Sequence, residues 1–445
     1  FEKMVFDLGT GVNSGDTMLT VGSTNRPFDW NNISVENGAS WFSGATASRS
    51  VTLYDGNITL QNYNVTANRL GDFEYGLRSD VSGSGTVTAS KIFFDANKYQ
   101  NAAVTYSTTN PFPSGGVFYS GISRLGSRVN NNTLTVDGVG LPSSSQTYAG
   151  YNMSATGNAE HNTLILKNIT TPSSAYAYAG HSANGNATNN TAIVRASSGL
   201  GSTWLYGGES GNPSADVTTG NTLRVEGAGS VVSDIFNFEK MVFDLGTGVN
   251  SGDTMITVGS SNRSFDWNNV SVVGLRNWIT SIGVNNPTAT LYSGTLNLTN
   301  YAPTLIGTVG DYEFGKKSDA ATTGTVTAYS VSLDGNRFQN ATETPTTWAS
   351  DVHAGLSIYG NTTNHNTLNI NMGLDNARAG YTNAQNGGSE SNTLNLNTGG
   401  SITNGYAGYT EGVHLLVDPT SETNPTAVDT TKNADAKNNT VNING

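Results

Sequence analysis

The sequence predicts an all-β protein that folds as a right-handed parallel β-helix, a solenoid in which successive coils stack along one axis. Three observations predict this fold. The chain contains a long internal repeat, a short marker returns at about the length of one coil, and patterns typical of amphipathic helices are weak.

The long repeat is nearly identical at its start. Residues 1–35 return as residues 238–272, an offset of 237, with four substitutions. The likeness continues, since DFEYGLRSD beginning at Asp72 returns as DYEFGKKSD beginning at Asp311. We therefore expect two segments of one continuous β-helix, residues 1–237 and a truncated second copy, residues 238–445. A loop insert is expected in the second segment at about residues 409–437.

The short marker is a polar turn followed by Asn-Thr and alternating apolar residues, as in NNTLTVDG beginning at Asn131. Most of its occurrences lie about 26 to 31 residues apart, and an aromatic residue, a small residue and Gly precede most of them by about thirteen residues. Strand and turn alternating at this period indicate a solenoid. At roughly 20 to 30 residues a coil, the chain would make about 15 to 20 coils.

The repeated Asn has a predicted structural role. Asn tolerates the left-handed conformation that a sharp corner needs, and stacked Asn amides can form hydrogen bonds from coil to coil. Two residues later an apolar side chain is expected to point into the core. The predicted ladder is Asn132, Asn162, Asn190, Asn221, Asn366, Asn392 and Asn439, and the predicted core stripe is Leu134, Leu164, Leu223, Leu368, Leu394 and Val441.

Two other architectures were weighed. β-Sandwich domains would repeat at about 100 residues, which is far longer than the observed marker period. Disorder is the competing interpretation for a polar, Gly-rich chain, but short alternating runs such as VTLYDGNITL at Val51 are half-buried strand patterns.

Composition excludes some functions. The net charge of −12 and the pI of about 4.8 argue against nucleic-acid binding, and no apolar run of 18 residues predicts a membrane span. Cys is absent, which suits a chain that crosses an oxidising periplasm unfolded, although Cys can also simply be rare. The sequence begins inside a repeat, so we expect targeting and anchoring segments outside it.

Several segments resemble a known family. FNFEKMVFDLG at Phe236, followed by GDTMITV at Gly252, is similar to a segment that recurs in passenger domains of Gram-negative type Va autotransporter adhesins, and the Tyr-Ala-Gly coils are similar as well. The resemblance covers essentially the whole chain. It implies a β-helical passenger secreted by the type V route, which is either displayed on the bacterial surface through an outer-membrane translocator or released.

β-Helices also include polysaccharide-cleaving enzymes, so catalysis was weighed. The Asn-Thr-Asp, Asp-Asp, Gly-His-Gly and Arg-Ile-Lys segments of polygalacturonase-like enzymes do not occur in this sequence. Glycoside hydrolysis needs paired carboxylates, whereas the acids here are scattered and are interpreted as turn residues. The acids considered are Asp55, Asp95, Asp137 and Asp334.

Other catalytic and ligand motifs are incomplete. GHSANG at Gly180 departs from the nucleophile-elbow pattern at Asn184, and Ser182 is expected on a repeat corner. GTGVNSG at Gly9 and Gly246 lacks the spacing of a phosphate-binding loop and is interpreted as a Gly-rich loop. We therefore predict no catalysis and no cofactor.

Metal binding is not expected either. His161 and His365 occupy a corner position that Asn or Ser fills elsewhere, which favours a polar turn residue. Asp7, Asn13 and Asp16, which return as Asp244, Asn250 and Asp253, carry the hard oxygen ligands of calcium, but their spacing is not that of an EF-hand or of a Gly-Asp nonapeptide repeat. We predict no metal site.

Binding residues are sought in loops and exposed aromatic side chains. The insert at 409–437 carries scattered acids and an apolar HLLV run, and it is either a binding element or a tolerated surface insertion. Trp348 lies in a polar stretch and is the preferred exposed aromatic, whereas Trp30 and Trp267 are interpreted as structural and Trp204 as core. The candidate binding residues are Trp348, Glu411, His414, Asp418 and Glu422.

Together these observations predict a non-catalytic surface adhesin. Its expected partner is a host extracellular matrix protein, a cell-surface glycan or another bacterium, and self-association is a variant because a flat face rich in Asn and Thr could pair with a copy of itself. Neither nucleic-acid binding nor membrane insertion is expected. The alternatives are a polysaccharide-cleaving enzyme and a passive spacer stalk.

Overall fold

The computed structural model has the predicted fold class. The chain is all-β, with 59% strand and 5% helix, and parallel stacked sheets form a β-solenoid with about 13 turns counted over the chain. The expected 15 to 20 coils were too many. The structure describes residues 1–22, 25–113, 116–169, 174–195, 198–246, 248–259, 263–284, 286–383, 387–397, 401–410 and 436–444.

The elements of the first copy begin with strands that precede the first stacked coils. They are β1 (Met4–Asp7), β2 (Thr17–Thr20), β3 (Arg26–Asp29), β4 (Ile33–Glu36), α1 (Gly38–Phe42), β5 (Arg49–Tyr63), β6 (Asn68–Leu70), β7 (Phe73–Ser79), β8 (Gly85–Lys98), β9 (Ala103–Ser107), β10 (Val117–Ser123), β11 (Val129–Asn130), β12 (Thr133–Asp137), β13 (Gln146–Asn152), β14 (Ala159–Glu160), β15 (Thr163–Lys167), β16 (Ala175–Ser182), β17 (Ala187–Thr188), β18 (Thr191–Arg195), β19 (Gly199–Ser210), β20 (Thr222–Glu226) and β21 (Ser230–Phe236).

The second copy repeats the order of β1 to β18 and α1. Its elements are β22 (Lys240–Asp244), β23 (Thr254–Val258), β24 (Arg263–Asp266), β25 (Val270–Val273), α2 (Leu275–Ile282), β26 (Thr288–Tyr301), β27 (Thr304–Val309), β28 (Tyr312–Ser318), β29 (Gly324–Arg337), β30 (Thr342–Glu343), β31 (Asp351–Ser357), β32 (Thr363–Asn364), β33 (Thr367–Ile370), β34 (Gly373–Thr382), β35 (Ser389–Glu390), β36 (Thr393–Leu396), β37 (Ser401–Thr410), β38 (Ala436–Lys437) and β39 (Thr440–Ile443). Two 3₁₀ turns, Trp30–Asn32 and Trp267–Asn269, follow β3 and β24.

The chain divides into two compact units. Unit 1 comprises residues 1–244, 256–271 and 294–296, and unit 2 comprises residues 245–255, 272–293 and 297–445. In the stacked part of unit 1, each coil contributes one strand to each of three parallel sheets, as β10, β11 and β12 do. Strands β31, β32 and β33 belong to the equivalent sheets of unit 2.

Antiparallel hairpins explain the smaller number of coils. In unit 1, β8 pairs antiparallel with both β5 and β7, and β6 pairs antiparallel with β7. In unit 2, β28 pairs antiparallel with β27 and β29. Long stretches of each copy therefore form hairpins instead of coils, although their alternating pattern does predict strands.

The predicted Asn ladder is present in both units. The Asn132 Nδ2 donates to Asn162 Oδ1 at 2.8 Å, and the Asn162 Nδ2 donates to Asn190 Oδ1 at 3.0 Å. Each amide also donates to a backbone carbonyl of the preceding coil, as Asn162 Nδ2 does to Val129 O at 3.2 Å. Asn221 extends the ladder of unit 1, and Asn366, Asn392 and Asn439 form the ladder of unit 2.

Burial makes this ladder expensive to break. Asn132, Asn162, Asn190 and Asn221 are fully buried, as are Asn366 and Asn392. Their Oδ1 atoms also accept the backbone N–H of the neighbouring coil, as Asn190 Oδ1 does from Asn162 N at 3.0 Å. A buried amide without these partners would lose the free energy of several hydrogen bonds.

Glycine gives each Asn its space. A Cβ added to Gly150 would lie 2.4 Å from the amide of Asn162, and one added to Gly180 would lie 2.4 Å from the amide of Asn190. The recurring Gly before each Asn-Thr is therefore required, because a Cβ at that position would collide with the ladder amide. The same contact recurs at Gly121, Gly208, Gly355, Gly380 and Gly408.

The sequence predicts that the ladder Asn itself takes the left-handed conformation at the corner. In the structure the residue before the ladder Asn takes it. Asn131, His161 and Asn189 have φ of 54°, 56° and 56°. The corner therefore uses two residues, because one must turn the chain while the next directs its amide into the core. The positions in later coils are Gly220, His365, Ser391 and Asn438.

The predicted core stripe is correct for five of its six members. Leu134, Leu164, Leu223, Leu368 and Leu394 are fully buried, whereas Val441 is 52% exposed. Val441 stacks on Leu394 from one side, and within the described residues no further coil covers it.

A buried glutamate fixes each hairpin to the first full coil of its unit. Glu74 of β7 and Glu313 of β28 are fully buried. Each carboxylate accepts hydrogen bonds from the turn that follows β10 or β31 and from an Asn of the hairpin. The donors to Glu74 are Asn97, Ser123, Arg124, Leu125 and Ser127, and those to Glu313 are Asn336, Ser357, Ile358, Tyr359 and Asn361.

Removal of a buried ladder amide should strongly destabilise the protein. Asn162→Ala removes the acceptor of Asn132 N and Asn132 Nδ2 and the donor to Val129 O, so we expect a loss of about 2–4 kcal/mol. The control is Asn397→Ala on the outer face, where an amide of the same kind contacts solvent and the expected loss is below about 1 kcal/mol. Urea denaturation followed by Trp fluorescence measures both. Equal losses would show that burial does not give the ladder its strength.

Substitution of the glycine behind the ladder should have a similar effect. Gly180→Ala places a methyl group against the Asn190 amide, and we expect a loss of about 2 kcal/mol or more. Gly201→Ala is the matched control, because its Cβ would meet only Val231 at 3.7 Å. That control should be neutral or slightly stabilising in the same measurement. A tolerated Gly180→Ala would contradict the steric argument.

Candidate binding surface

An outward face of unit 1 carries two neighbouring rows of side chains. Its strands β10, β13, β16, β19 and β21 pair in parallel, and side chains alternate between core and exterior. Leu205 and Ile235 belong to the buried row between them. The first outward row is Val117, Gln146, Tyr176, Trp204 and Asp234, and the second is Tyr119, Tyr148, Tyr178, Tyr206 and Phe236.

The aromatic rings of the second row stack from coil to coil. The ring centroids of Tyr148 and Tyr178 lie 4.7 Å apart, those of Tyr178 and Tyr206 4.7 Å, and those of Tyr206 and Phe236 4.4 Å. Tyr151 stacks on Tyr148 at 4.2 Å. We call the outward aromatic residues of these strands the aromatic strip: Tyr119, Tyr148, Tyr151, Tyr176, Tyr178, Trp204, Tyr206 and Phe236.

The strip has a covered middle and an accessible edge. Tyr148 and Tyr178 are only 2% and 3% exposed, because their ring faces are covered by each other and by neighbouring side chains. Trp204 is 39% exposed. Its ring stands nearly perpendicular to that of Tyr176, at 89° and 4.9 Å between centroids. The middle of the strip therefore stabilises the coils, while the first row is available for contact.

Charged residues lie at the end of the strip. Arg263 packs over the ring of Phe236 at 3.8 Å, and its Nη2 donates to Asp234 Oδ2 at 2.6 Å. The Arg263 side chain is 38% exposed, whereas that of Asp234 is 10% exposed. Aromatic and charged groups thus meet at one place on the surface.

A neutral histidine lies within the strip. The His181 ring meets Tyr148, Tyr151 and Tyr178 edge-on, at 5.2, 5.3 and 5.8 Å between centroids. Burial lowers the pKa of His181 to about 4, although Glu209 Oε2 lies 3.6 Å from its Nε2. Burial also raises the pKa of Glu209, and a hydrogen bond from Tyr178 opposes that rise. Desolvation therefore outweighs the attraction between the His181 and Glu209 side chains.

The equivalent face of unit 2 has a different composition. Arg378 of β34 lies over Tyr381 at 4.8 Å and over Tyr409 at 4.6 Å, and it forms an ion pair with Asp351. Tyr406 is 38% exposed and meets Tyr409 at 4.9 Å. An aromatic cluster built around a guanidinium thus takes the place of the tyrosine stack.

Unit 2 also displays amide ladders on its outer face. Asn395 Nδ2 donates to Asn369 Oδ1 at 2.7 Å, and Asn442 Nδ2 donates to Asn395 Oδ1 at 2.8 Å. A second ladder runs parallel to it through Asn371, Asn397 and Asn444. These side chains are half-buried or exposed, in contrast to the buried ladder of the corners.

The structure describes one of the five predicted binding residues. Trp348 is 63% exposed, in the loop before β31, as predicted. The other four, Glu411, His414, Asp418 and Glu422, lie outside the described residues. The edges of the predicted insert need correction, because Tyr409 pairs with Tyr381 in β37 and Lys437 pairs with Glu390 in β38.

Of the other tryptophans that the sequence analysis interpreted, Trp204 lies on a different side of its strand from the one expected. Trp30 and Trp267 are buried, as predicted, at 7% and 2% exposure. Trp41 and Trp278 are equivalent core residues that donate to the carbonyls of Val12 and Val249, at 2.8 and 2.9 Å. Trp204, which was assigned to the core, points outward. The recurring Tyr positions of the coil marker could have shown this, since residues two apart on a strand share one face.

Several residues examined for chemistry have internal roles. Ser182 Oγ donates to Gly157 O at 2.9 Å and accepts from Gly185 N at 2.7 Å, so it holds a repeat corner. Asp16 Oδ2 accepts from Asn13 N at 2.8 Å and closes the Gly-rich loop. Among the described residues, no group of three or more His, Cys, Asp or Glu side chains is placed to hold a metal ion.

The four acids that the sequence analysis interpreted as turn residues do not lie in turns. Asp55, Asp95, Asp137 and Asp334 all lie in strands. They pair with Lys91, Arg78, Lys167 and Lys317, respectively. On the outer face of β18 and β20, Arg195 donates to Glu226 at 2.7 Å. These carboxylates thus join neighbouring strands.

No family model and no curated protein matches the sequence, and no solved structure matches the fold. Within the described part of the chain, no helix combines the length and hydropathy that crossing a membrane requires.

Acidification should weaken unit 1 through His181. Its pKa is below the ordinary value of 6.5, so the unfolded chain binds a proton first and stability falls as the pH drops from about 6.5 towards about 4. The raised pKa of Glu209 acts in the opposite sense, because stability then falls as the pH rises above the ordinary value. We therefore expect His181→Gln to reduce the stability lost between pH 7.5 and pH 5 by roughly 1–2 kcal/mol.

Unfolding midpoints at both pH values measure this effect. His161→Asn is the control, because His161 is an exposed corner residue where Asn fits elsewhere. Its pH dependence should equal that of the unaltered protein. An unchanged pH dependence in His181→Gln would show that this histidine does not control acid sensitivity.

Proposed function

We propose that this chain is a non-catalytic adhesive segment of a bacterial surface protein. It attaches to host matrix proteins, to cell-surface glycans or to other bacteria through the outer faces of its parallel sheets. The segment is displayed on the cell surface through a translocator or is secreted. The observation that carries this proposal is the outward placement of aromatic residues on the equivalent sheet of both units.

The aromatic residues support attachment because they are large, rigid and amphipathic. Trp204 and Tyr406 are each more than a third exposed, on the equivalent sheet of each unit. Such residues contribute most strongly to binding free energy when a partner covers them. Contacts repeated along several coils also add to one another through multivalency.

The roles of the charged residues favour adhesion over the alternative of a polysaccharide-cleaving enzyme. That enzyme would use neighbouring carboxylates as acid and base on a bound sugar. Here the acids on the outer strands form ion pairs between coils, as Glu226 does with Arg195 and Asp137 with Lys167. The likeness to autotransporter passengers points to the same conclusion.

Self-association is a second candidate, favoured by the exposed amide ladders of unit 2. Asn395 uses one N–H and one oxygen lone pair within its ladder and keeps further hydrogen-bonding capacity. A second copy could be bound by this face. Analytical ultracentrifugation of the chain, compared with Asn395→Ala/Asn397→Ala, would test it.

The adhesive proposal is tested with beads coated with the purified chain. Attachment is measured to matrix proteins, glycans, epithelial cells and bacteria. We expect a variant that alters the aromatic strip of unit 1 (Tyr176→Ser/Trp204→Ser) and the aromatic cluster of unit 2 (Tyr381→Ser/Tyr406→Ser) to lose at least about tenfold in attachment. A chain in which residues 411–435 are replaced by a six-residue Gly-Ser linker tests the predicted loop, because six residues join the equivalent strands β34 and β35 of the preceding coil.

Tyr329→Ser is the matched control, because Tyr329 is an aromatic residue 65% exposed on a hairpin, outside the aromatic strip of unit 1 and the aromatic cluster of unit 2. It should attach normally. Attachment unaffected by the strip variant and by the deletion would contradict binding through these surfaces. A chain that attaches to none of the targets would be a spacer.

A further inference from the structure

The exposed edge of the aromatic strip combines two kinds of chemistry. Trp204 and Tyr176 are neighbours in the first outward row, with centroids 4.9 Å apart. Asp234 follows Trp204 in the same row and holds Arg263 beside Phe236. An apolar ring surface and a pair of hydrogen-bonding groups therefore lie one strand spacing apart, about 4.8 Å.

We infer that Trp204 and Tyr176 form a binding platform for neutral saccharides, with Arg263, which Asp234 holds in position, supplying hydrogen bonds. This inference rests on the proposed adhesive function and names its ligand class at one place. A pyranose ring presents an apolar C–H face and a rim of hydroxyl groups. Aromatic side chains pack against the first, and planar polar side chains bind the second.

The accessible atoms fit this role. Trp204 is 39% exposed, and its indole nitrogen makes no hydrogen bond to another described residue, so it can donate to a sugar hydroxyl. The ion pair with Asp234 uses two of the five N–H donors of the Arg263 guanidinium, and its side chain is 38% exposed.

Neighbouring groups of the protein hold the Asp234 carboxylate and the Arg263 guanidinium in position. Asp234 Oδ1 accepts the backbone N–H of Ile235 at 2.7 Å, and the Arg263 guanidinium is held against the ring of Phe236 at 3.8 Å. Both groups are thus fixed before a ligand arrives, which reduces the entropy lost on binding. The stacked Tyr206 and Phe236 form a rigid base next to them.

Charge favours a neutral ligand. The chain has a net charge of −12, and Asp234 is next to Trp204 in the same row. A polyanionic glycan would therefore be repelled, and Arg263 is already neutralised by Asp234. The equivalent row of unit 2 carries Asp351, Asn376 and Asn404 instead of aromatic residues, so the platform belongs to unit 1.

The test measures binding of the full chain to three neutral polysaccharides, dextran, mannan and galactan, and to heparin as a polyanion. Affinity electrophoresis gives the dissociation constants, and Trp fluorescence reports the contact. We expect at least one neutral polysaccharide to bind and heparin not to bind. Trp204→Ala should weaken binding at least about tenfold, while Trp204→Phe, which keeps a flat ring, should retain part of it.

Tyr329→Ala is the matched control, because it removes an aromatic side chain that is 65% exposed on the hairpin strand β29, away from the proposed platform. It should leave polysaccharide binding unchanged, and circular dichroism should show that every variant is folded. Equal losses in Trp204→Ala and Tyr329→Ala would overturn the inference, as would binding to heparin alone.

The same variants in the bead assay separate the two proposals. If no neutral polysaccharide binds while the beads still attach to cells or matrix, the saccharide platform is wrong and the adhesive function stands. If the beads also fail to attach, the adhesive function fails with it. Polysaccharide binding lost in Trp204→Ala and retained in Tyr329→Ala would support both.

Discussion

The buried asparagine ladder is the interaction on which the rest of the structure depends. One amide per coil donates to the next coil and to the backbone of the coil before it, so the spacing and register of neighbouring coils are set together. The ladder needs a glycine opposite each amide and a left-handed residue before it, as at Gly150 and His161 for Asn162. Three sequence positions in every coil are thus explained by one hydrogen-bonding requirement.

Because the corners and the apolar core are the same in every coil, the composition of the outer faces can vary. The two units use this freedom differently. Unit 1 stacks tyrosines and ends the stack with an arginine over Phe236, whereas unit 2 places Arg378 among tyrosines and adds ladders of exposed amides. The chain can therefore carry several contact chemistries on one scaffold, which is a useful property for an adhesive surface.

The sequence was sufficient for the features that repeat. The ladder and the buried leucines follow from a period that is visible in the chain, and Trp348 is exposed as its polar surroundings indicated. Features that depend on neighbours in space were missed. Trp204 was assigned to the core because its segment resembles a corner, yet pairing with Asp234 places it on the outside. The strand direction at β8 was also missed, since alternation is the same in parallel and antiparallel strands.

The two buried glutamates have a consequence for how such a chain can change length. Glu74 and Glu313 each draw all their hydrogen-bond donors from their own copy, and each ladder is likewise complete within its copy. The stretches 1–35 and 238–272 differ at only four positions. Homologous recombination between them would remove or add one whole module and leave no buried carboxylate or amide without its partners. The number of modules could then change while the fold of each module is preserved.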